Sequence, residues 1–100
     1  MFNLNDIENI EYDNGCDELE YYASIQRAIN DGLWSLQGSY GRTMMGAIES
    51  GSCLLGKGGF RDYWGNYIPS RDQVKTGTKG SYEFVADRMG DEYAEMMAAV

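Results

Sequence analysis

The residues of this 100-residue chain that could do chemistry are carboxylates, since it contains 16 Asp and Glu residues and no His. Without histidine, no Ser-His-Asp or Cys-His nucleophile and no His-ligated metal site can form, because no other unperturbed side chain titrates near pH 7. Paired carboxylates would have to converge in one pocket for acid–base catalysis, and their spacing does not indicate such a pocket. We therefore predict a protein that is not an enzyme and that has no cofactor and no metal site.

Two glycine-rich segments could bind phosphate through free backbone amides. Residues 56–59, Gly-Lys-Gly-Gly, lack the spacing of a Walker loop and that of a Rossmann turn. Residues 77–81, Gly-Thr-Lys-Gly-Ser, open a predicted helix and suit an anion better. Short basic connectors of this kind are common, so phosphate binding is the less favoured interpretation.

Acidic residues concentrate at both ends of the chain. The formal net charge of −8 divides into −7 over residues 1–24, +3 over residues 42–79 and −4 over residues 80–100, with residues 25–41 balanced. Seven acids without one base at the N-terminal end exceed what solubility requires, since soluble surfaces usually mix the two signs. The carboxylates that we expect to contact a basic protein partner are Asp13, Asp17, Glu18 and Glu20.

An aromatic and basic segment is the second candidate contact surface. Tyr, Trp and Arg dominate the hot spots of protein interfaces. The residues of this segment that we expect to contact a partner are Arg61, Tyr63, Trp64, Tyr67 and Arg71. Alternatively, single-stranded nucleic acid or a nucleotide could bind at 57–79 by stacking on the aromatics, although the net charge repels polyanions at long range. The aromatics could also complete the core, or drive self-association into a homo-oligomer.

Helices must position most of these residues. A chain of this length forms a single domain, and apolar residues recurring at steps of three and four predict helices at 17–36, 39–55 and 81–98. Residues 1–15 form an N-terminal arm, in which a short helix from Asn5 and an extended chain are equally favoured. Asp17 and Glu20 match a capping box, and Gly90 is placed to divide the last helix.

The segment at 56–80 is predicted to be an insertion between the second and third helices. Its aromatic residues indicate either an irregular loop or a short β-hairpin, with Gly65-Asn66 fitting a type II′ turn. The fold class is therefore mainly α, or α+β. The methionines lie on the helical stripes and are predicted to fill the core rather than a binding surface; they are Met44, Met45, Met89, Met96 and Met97.

Location and redox state follow from two absences in the sequence. No apolar run approaches the ~20 residues that cross a bilayer. The first six residues have neither the basic nor the apolar region of a secretory signal. We therefore expect no membrane contact and a cytoplasmic location, with Cys16 and Cys53 reduced.

In size, acidity and lack of catalytic residues, the chain resembles the counter-defence proteins of bacteriophages, of the anti-CRISPR and DNA-mimic type. The residues that carry the likeness are Asp6, Glu8, Glu11, Asp13, Asp17, Glu18, Glu20, Glu83, Asp87, Asp91, Glu92 and Glu95. The resemblance is one of character and not of a shared motif. It implies a phage-encoded inhibitor that blocks a basic nucleic-acid-handling enzyme or complex, such as a nuclease or CRISPR effector, in the cytoplasm of a bacterial host. The basic middle segment departs from a pure DNA mimic and favours inhibition by ordinary protein contact.

Overall fold

The computed structural model describes residues 2–11, 17–35, 38–62 and 64–100. These residues form five α-helices, one 3₁₀ turn and a two-stranded antiparallel sheet, so the mainly helical class is confirmed and the predicted count of three helices is wrong. The elements in chain order are α1 (Leu4–Glu11), α2 (Glu18–Asn30), the 3₁₀ turn (Leu33–Ser35), α3 (Gly38–Glu49), β1 (Phe60–Arg61), β2 (Tyr67–Ile68), α4 (Tyr82–Met89) and α5 (Asp91–Ala99).

Helix α2 packs against α1 and α3 and contributes to both hydrophobic clusters. Its N-cap is the predicted one, since Asp17 accepts a hydrogen bond from the Glu20 amide at 2.8 Å. One cluster joins Ile25 and Ile29 of α2 to the 3₁₀ turn and α3, with further members Ala28, Trp34, Met44, Ala47, Ile48, Cys53, Leu55 and Ile68. The other cluster consists of Leu54, Val85, Ala94 and Met97, against which the α2 residues Tyr22 and Ala23 pack.

Helix α1 forms where the sequence left a helix and an extended arm equally favoured. A buried polar network holds it on α2: Asp6 accepts hydrogen bonds from Ser24 Oγ at 2.8 Å and from Arg27 Nε at 3.0 Å. Asn9 donates to Ser24 Oγ at 3.1 Å, and the Asn3 amide donates to the Asp6 carboxylate. Because the ion pair is buried on the Asp6 side, the carboxylate belongs to the helix interface and not to the protein surface.

Glycines with positive φ end the helices earlier than the apolar spacing predicts. Helix α2 ends at Asn30 rather than at 36, since Gly32 has a φ of 73° and its Cα lies against the Phe60 ring. Helix α3 ends at Glu49 rather than at 55. There Gly51, with a φ of 82°, and the following amide donate to the last-turn carbonyls at 3.1 and 2.9 Å in a Schellman motif. At position 90, a glycine with a φ of 95° separates α4 from α5 and divides the helix predicted at 81–98.

An extended segment follows α3 and inserts Leu54 and Leu55 between the helices. The Gln26 side chain pairs with this segment as a neighbouring strand would: its Nε2 donates to Leu54 O at 3.0 Å and its Oε1 accepts from Leu54 N at 2.8 Å. Gln26 Nε2 also donates to Asn30 Oδ1 at 3.1 Å, and Asn30 Nδ2 donates to Val100 O at 3.0 Å. This buried amide therefore connects α2 to the 50–56 segment and to the end of α5.

Candidate binding surfaces

The acidic residues predicted at the start of α2 lie on the surface. Asp17, Glu18 and Glu20 are exposed, whereas Asp13 lies outside the described residues. Helical periodicity places Glu18 on the stripe of Tyr22, which packs toward α5. It places Glu20 on the stripe of Ser24, which contacts α1. The first turn of α2 thus carries carboxylates toward both neighbouring helices.

One acid of the N-terminal segment, Glu18, lies close to α5. Ala94 and Met97 of α5 belong to the apolar cluster against which Tyr22 and Ala23 of α2 pack. The pKa of Tyr93 on α5 is raised, and burial of its hydroxyl is the main cause. The neighbouring Cys53 and Tyr22 groups and the charge of Glu18 raise it further. Glu18 from the N-terminal acidic segment is therefore within electrostatic reach of α5, although 75 positions separate it from Tyr93.

Helices α4 and α5 carry further exposed carboxylates, three of which lie close enough to Tyr82 to affect its pKa. Partial burial is the main cause of a raised Tyr82 pKa, and the charges of Glu95, Asp91 and Glu83 raise it further. We call the exposed carboxylates of α4 and α5, together with Glu18 of α2, the acidic face; its members are Glu18, Glu83, Asp87, Asp91, Glu92 and Glu95. Arg88 is the one base within α4 and α5, and its guanidinium lies 4.9 Å from the centre of the Phe84 ring.

Other carboxylates of the N-terminal segment make intramolecular contacts instead. Asp6 is buried in the α1–α2 interface, so it is not one of the surface acids on which the resemblance depends. Glu11 is exposed but accepts a hydrogen bond from the Tyr40 hydroxyl at 2.9 Å. The acidic segment at 1–24 is thus partly structural, and it is not a continuous negative surface.

The aromatic segment forms the β-hairpin, with Phe60 opposite Ile68 and Arg61 opposite Tyr67. This register differs from a two-residue type II′ turn at Gly65-Asn66, because the strands are joined through a longer loop in which Gly65 has a φ of 84°. The loop is organised by Asp62, whose Oδ1 accepts from the amides of Trp64 at 3.0 Å and of Asn66 at 2.8 Å. The Asp62 side chain thus stabilises a longer loop where the sequence predicted a two-residue turn.

Two of the hairpin residues predicted to contact a partner are largely exposed. Trp64 has 59% and Tyr67 has 52% of its surface accessible, while the Tyr67 hydroxyl donates to Gln73 Oε1 at 2.7 Å. Arg61 donates to Gly65 O at 3.0 Å, and its guanidinium lies 6.0 Å from the centre of the Tyr67 ring. Tyr63 lies outside the described residues.

Arg71, also predicted to contact a partner, is partly buried between elements. Its Nε donates to Leu55 O at 2.8 Å and its Nη2 donates to Asn30 Oδ1 at 3.3 Å. Burial lowers the Arg71 pKa, against the opposing charge of Asp72. The guanidinium therefore connects the 70–73 turn to α2 and to the 50–56 segment, a position that no feature of the local sequence indicates.

The predicted contact residues do not form one site. The hairpin root lies at the C-terminal end of α2, where Phe60 contacts Gly32, and Glu18 lies at the opposite end. At a rise of 1.5 Å per residue, the two ends of α2 are about 20 Å apart. Beside the hairpin, a groove of about 190 Å³ has Trp34, Gly41, Arg42, Met45, Asp62, Trp64 and Ile68 as its lining. Sequence spacing did not predict this groove, because its residues come from three elements.

Cys53 is buried and its thiol donates to Tyr22 O at 3.4 Å. Burial raises the Cys53 pKa to about 12, which makes the thiol a poor nucleophile at neutral pH. Cys16 lies outside the described residues. Within the described ranges, no three His, Cys, Asp or Glu side chains are grouped so that they could hold a metal ion.

The geometry defines a small, mainly helical protein with an acidic face at one end of α2 and an aromatic hairpin at the other. No helix in the part of the chain that the structure describes has the length and apolarity to cross a membrane. Comparison with protein-family models, curated proteins and solved structures finds no match to the chain.

Proposed function

We propose that the protein is a non-enzymatic inhibitor that binds a nucleic-acid-handling protein with a basic surface, as a phage-encoded counter-defence protein of the anti-CRISPR type would. The observation that carries the proposal is the acidic face, whose six carboxylates are all exposed, with Arg88 as the one base on α4 and α5. Enzymes that handle nucleic acid bind its phosphates with lysine and arginine side chains. A face of six exposed carboxylates is complementary to such a surface.

Electrostatic attraction would act mainly on the rate of encounter. Complementary potentials raise association rates and select partners by charge, and the effect weakens as salt screens the charges. The affinity must then come from desolvated contacts near the carboxylates. The proposal therefore requires inhibition that weakens with ionic strength and that depends on the sign of the charges on α5.

The test compares two charge reversals that change the net charge equally. Glu92→Lys with Glu95→Lys alters the acidic face, whereas Glu8→Lys with Glu49→Lys alters exposed acids on α1 and α3. Each form is expressed in bacterial strains that carry one CRISPR effector or one restriction nuclease, and phage plaquing and target cleavage by the purified enzyme are measured. We expect the wild type to block at least one effector, the α5 pair to lose about tenfold or more in inhibition, and the control pair to retain it.

Two outcomes would contradict the proposal. The first is a protein that blocks none of the effectors. The second is equal loss in both charge-reversed pairs, which would indicate a response to net charge rather than to the acidic face.

A second candidate function is binding of single-stranded nucleic acid by the hairpin. The exposure of Trp64 and Tyr67 beside Arg61 favours it, since unpaired bases stack on aromatic side chains. Titration of a fluorescently labelled oligonucleotide with the wild type and with Trp64→Ala at low salt, followed by the anisotropy of the label, tests it. Binding that falls steeply with salt and needs Trp64 would favour this function over inhibition by protein contact.

A further inference from the structure

Two methionines of α4 and α5 lie at the surface. Met89 has 39% and Met96 has 41% of its surface accessible, whereas Met44 and Met97 are buried as predicted. The prediction that the methionines fill the core is therefore wrong at positions 89 and 96. Exposed methionines at neighbouring positions form an adaptable apolar surface, because the unbranched thioether side chain can repack around different partners.

These methionines share a depression with Tyr93, Glu92 and Glu95. We call it the methionine cleft; it is shallow and open to solvent. Glu92 and Met96 are one turn apart on α5, and Met89 ends α4 just before the break at position 90. The cleft is therefore open to a partner that lies across α5 and the end of α4.

The floor of the cleft is fixed by contacts on its inner side. The Tyr93 hydroxyl donates to Ser52 O at 2.7 Å, and Ala94 and Met97 are fully buried in the cluster behind α5. A floor that is already ordered loses little conformational entropy when a partner binds. The exposed methionine side chains supply the adjustable part of the surface.

We propose that the methionine cleft binds a basic amphipathic helix of the partner protein. This inference rests on the proposed function, because it names the segment that the acidic face would recognise. The apolar side of such a helix would contact Met89, Tyr93 and Met96, and its Lys or Arg residues would pair with Glu92 and Glu95. Helix α5 has nine residues and is about 13 Å long, which matches two to three turns of a partner helix.

Charge complementarity selects this occupant over others. The cleft lining has two carboxylates, Glu92 and Glu95, and no base. A second copy of the chain placed symmetrically on the cleft would bring carboxylates against carboxylates. Nucleic acid and an anionic membrane would be repelled in the same way. A basic helix gains from both the methionines and the carboxylates.

The test uses synthetic peptides of about 14 residues. The probe contains Leu and Lys with all leucines on one helical face. One control peptide has the same composition with the leucines distributed around the helix, and the other has Glu in place of Lys. Affinities are measured for the full chain, for Met89→Gln with Met96→Gln, and for Leu4→Gln, which replaces a 72%-exposed apolar residue on α1 outside the cleft. Glutamine preserves side-chain length and helix propensity.

We expect the wild type to bind the Leu/Lys peptide and neither control peptide. The methionine pair should weaken binding by about tenfold, and Leu4→Gln should leave it unchanged. Equal binding of the redistributed peptide, or unchanged affinity in the methionine pair, would overturn the inference. So would sedimentation of the wild type as a dimer that the methionine pair abolishes, since the occupant would then be a second copy.

The two proposals fail in different ways. If the methionine pair still blocks an effector that Glu92→Lys with Glu95→Lys no longer blocks, the function stands and the cleft assignment is wrong. If the cleft binds the Leu/Lys peptide as expected but the protein blocks no effector, the cleft assignment stands and the inhibitor function is wrong.

Discussion

Replacing Gln26 by methionine removes the hydrogen bonds that join α2 to the 50–56 segment while keeping the length of the side chain. Gln26 is fully buried and pairs with both the amide and the carbonyl of Leu54. The same segment presents Ser52 O to the Tyr93 hydroxyl, so it also holds α5 in place. The substitution therefore tests whether this single amide organises the packing behind the acidic face.

The magnitude follows from the groups that Gln26→Met leaves behind. The Leu54 N–H and C=O would be buried without their partner, and an unsatisfied buried group costs about 1–3 kcal/mol. Two such groups cost about 2–6 kcal/mol, and the greater apolar burial of methionine offsets about 1 kcal/mol. We expect a net loss of about 3 kcal/mol, which is a large share of the 5–15 kcal/mol by which domains are typically stable.

Urea unfolding followed by circular dichroism measures this loss, with Gln73→Met as the matched control. Gln73 Oε1 also accepts two hydrogen bonds, from Tyr67 Oη at 2.7 Å and from Ser70 N at 2.9 Å, but its side chain is exposed. Water can replace the lost partner there, so we expect a cost below about 1 kcal/mol. A loss in Gln26→Met no larger than that in Gln73→Met would refute the assignment of the buried pairing as a main connection.

Two further predictions concern backbone conformation and alkaline pH. Gly51→Ala should destabilise the protein by about 1–2 kcal/mol, because φ is 82° and the new Cβ would lie 2.8 Å from Arg88 Cγ. Gly46→Ala, in an open helical position, should stabilise it by up to about 1 kcal/mol. Thermal melts in which both substitutions shift the stability in the same direction would contradict this prediction. The pKa values of Cys53 and Tyr93 are raised in the folded protein, so the unfolded chain loses these protons first and the free energy of unfolding should fall as pH rises above about 9. In urea titrations between about pH 8 and 11, Tyr93→Phe should make that fall shallower, and an unchanged slope would exclude Tyr93 as a cause.

Local signals in the sequence predicted the starts of helices better than their ends. Asp17 and Ser81 accept amide hydrogen bonds in the first turns of α2 and α4, as their types and positions indicate. The ends were placed too late because apolar spacing continues beyond them. Leu54 and Leu55 fit the stripe of α3, yet they are buried from an extended segment, since Gly51 has already turned the chain.

The roles of charged side chains depended on contacts between distant parts of the chain. Arg71 looks like a surface base in the sequence, but its partners are 16 and 41 positions away. Asp6 looks like one more surface acid, but Arg27, its partner, is 21 positions away. Composition predicts how many charges a segment carries. It does not show which of them the neighbouring elements bury.

The acidic face is unfavourable for folding by itself. Helices α4 and α5 carry five exposed carboxylates and one base, so repulsion between like charges opposes their packing onto the apolar cluster of Leu54, Val85, Ala94 and Met97. Arrangements that lower stability without a local structural benefit are typical of sites kept for binding. Reversing the charges of Glu92 and Glu95 should therefore weaken inhibition by about tenfold or more while leaving the free energy of unfolding unchanged or raised. A structural role for these two carboxylates would instead lower it, so stability and inhibition measured on the same variants separate the two explanations.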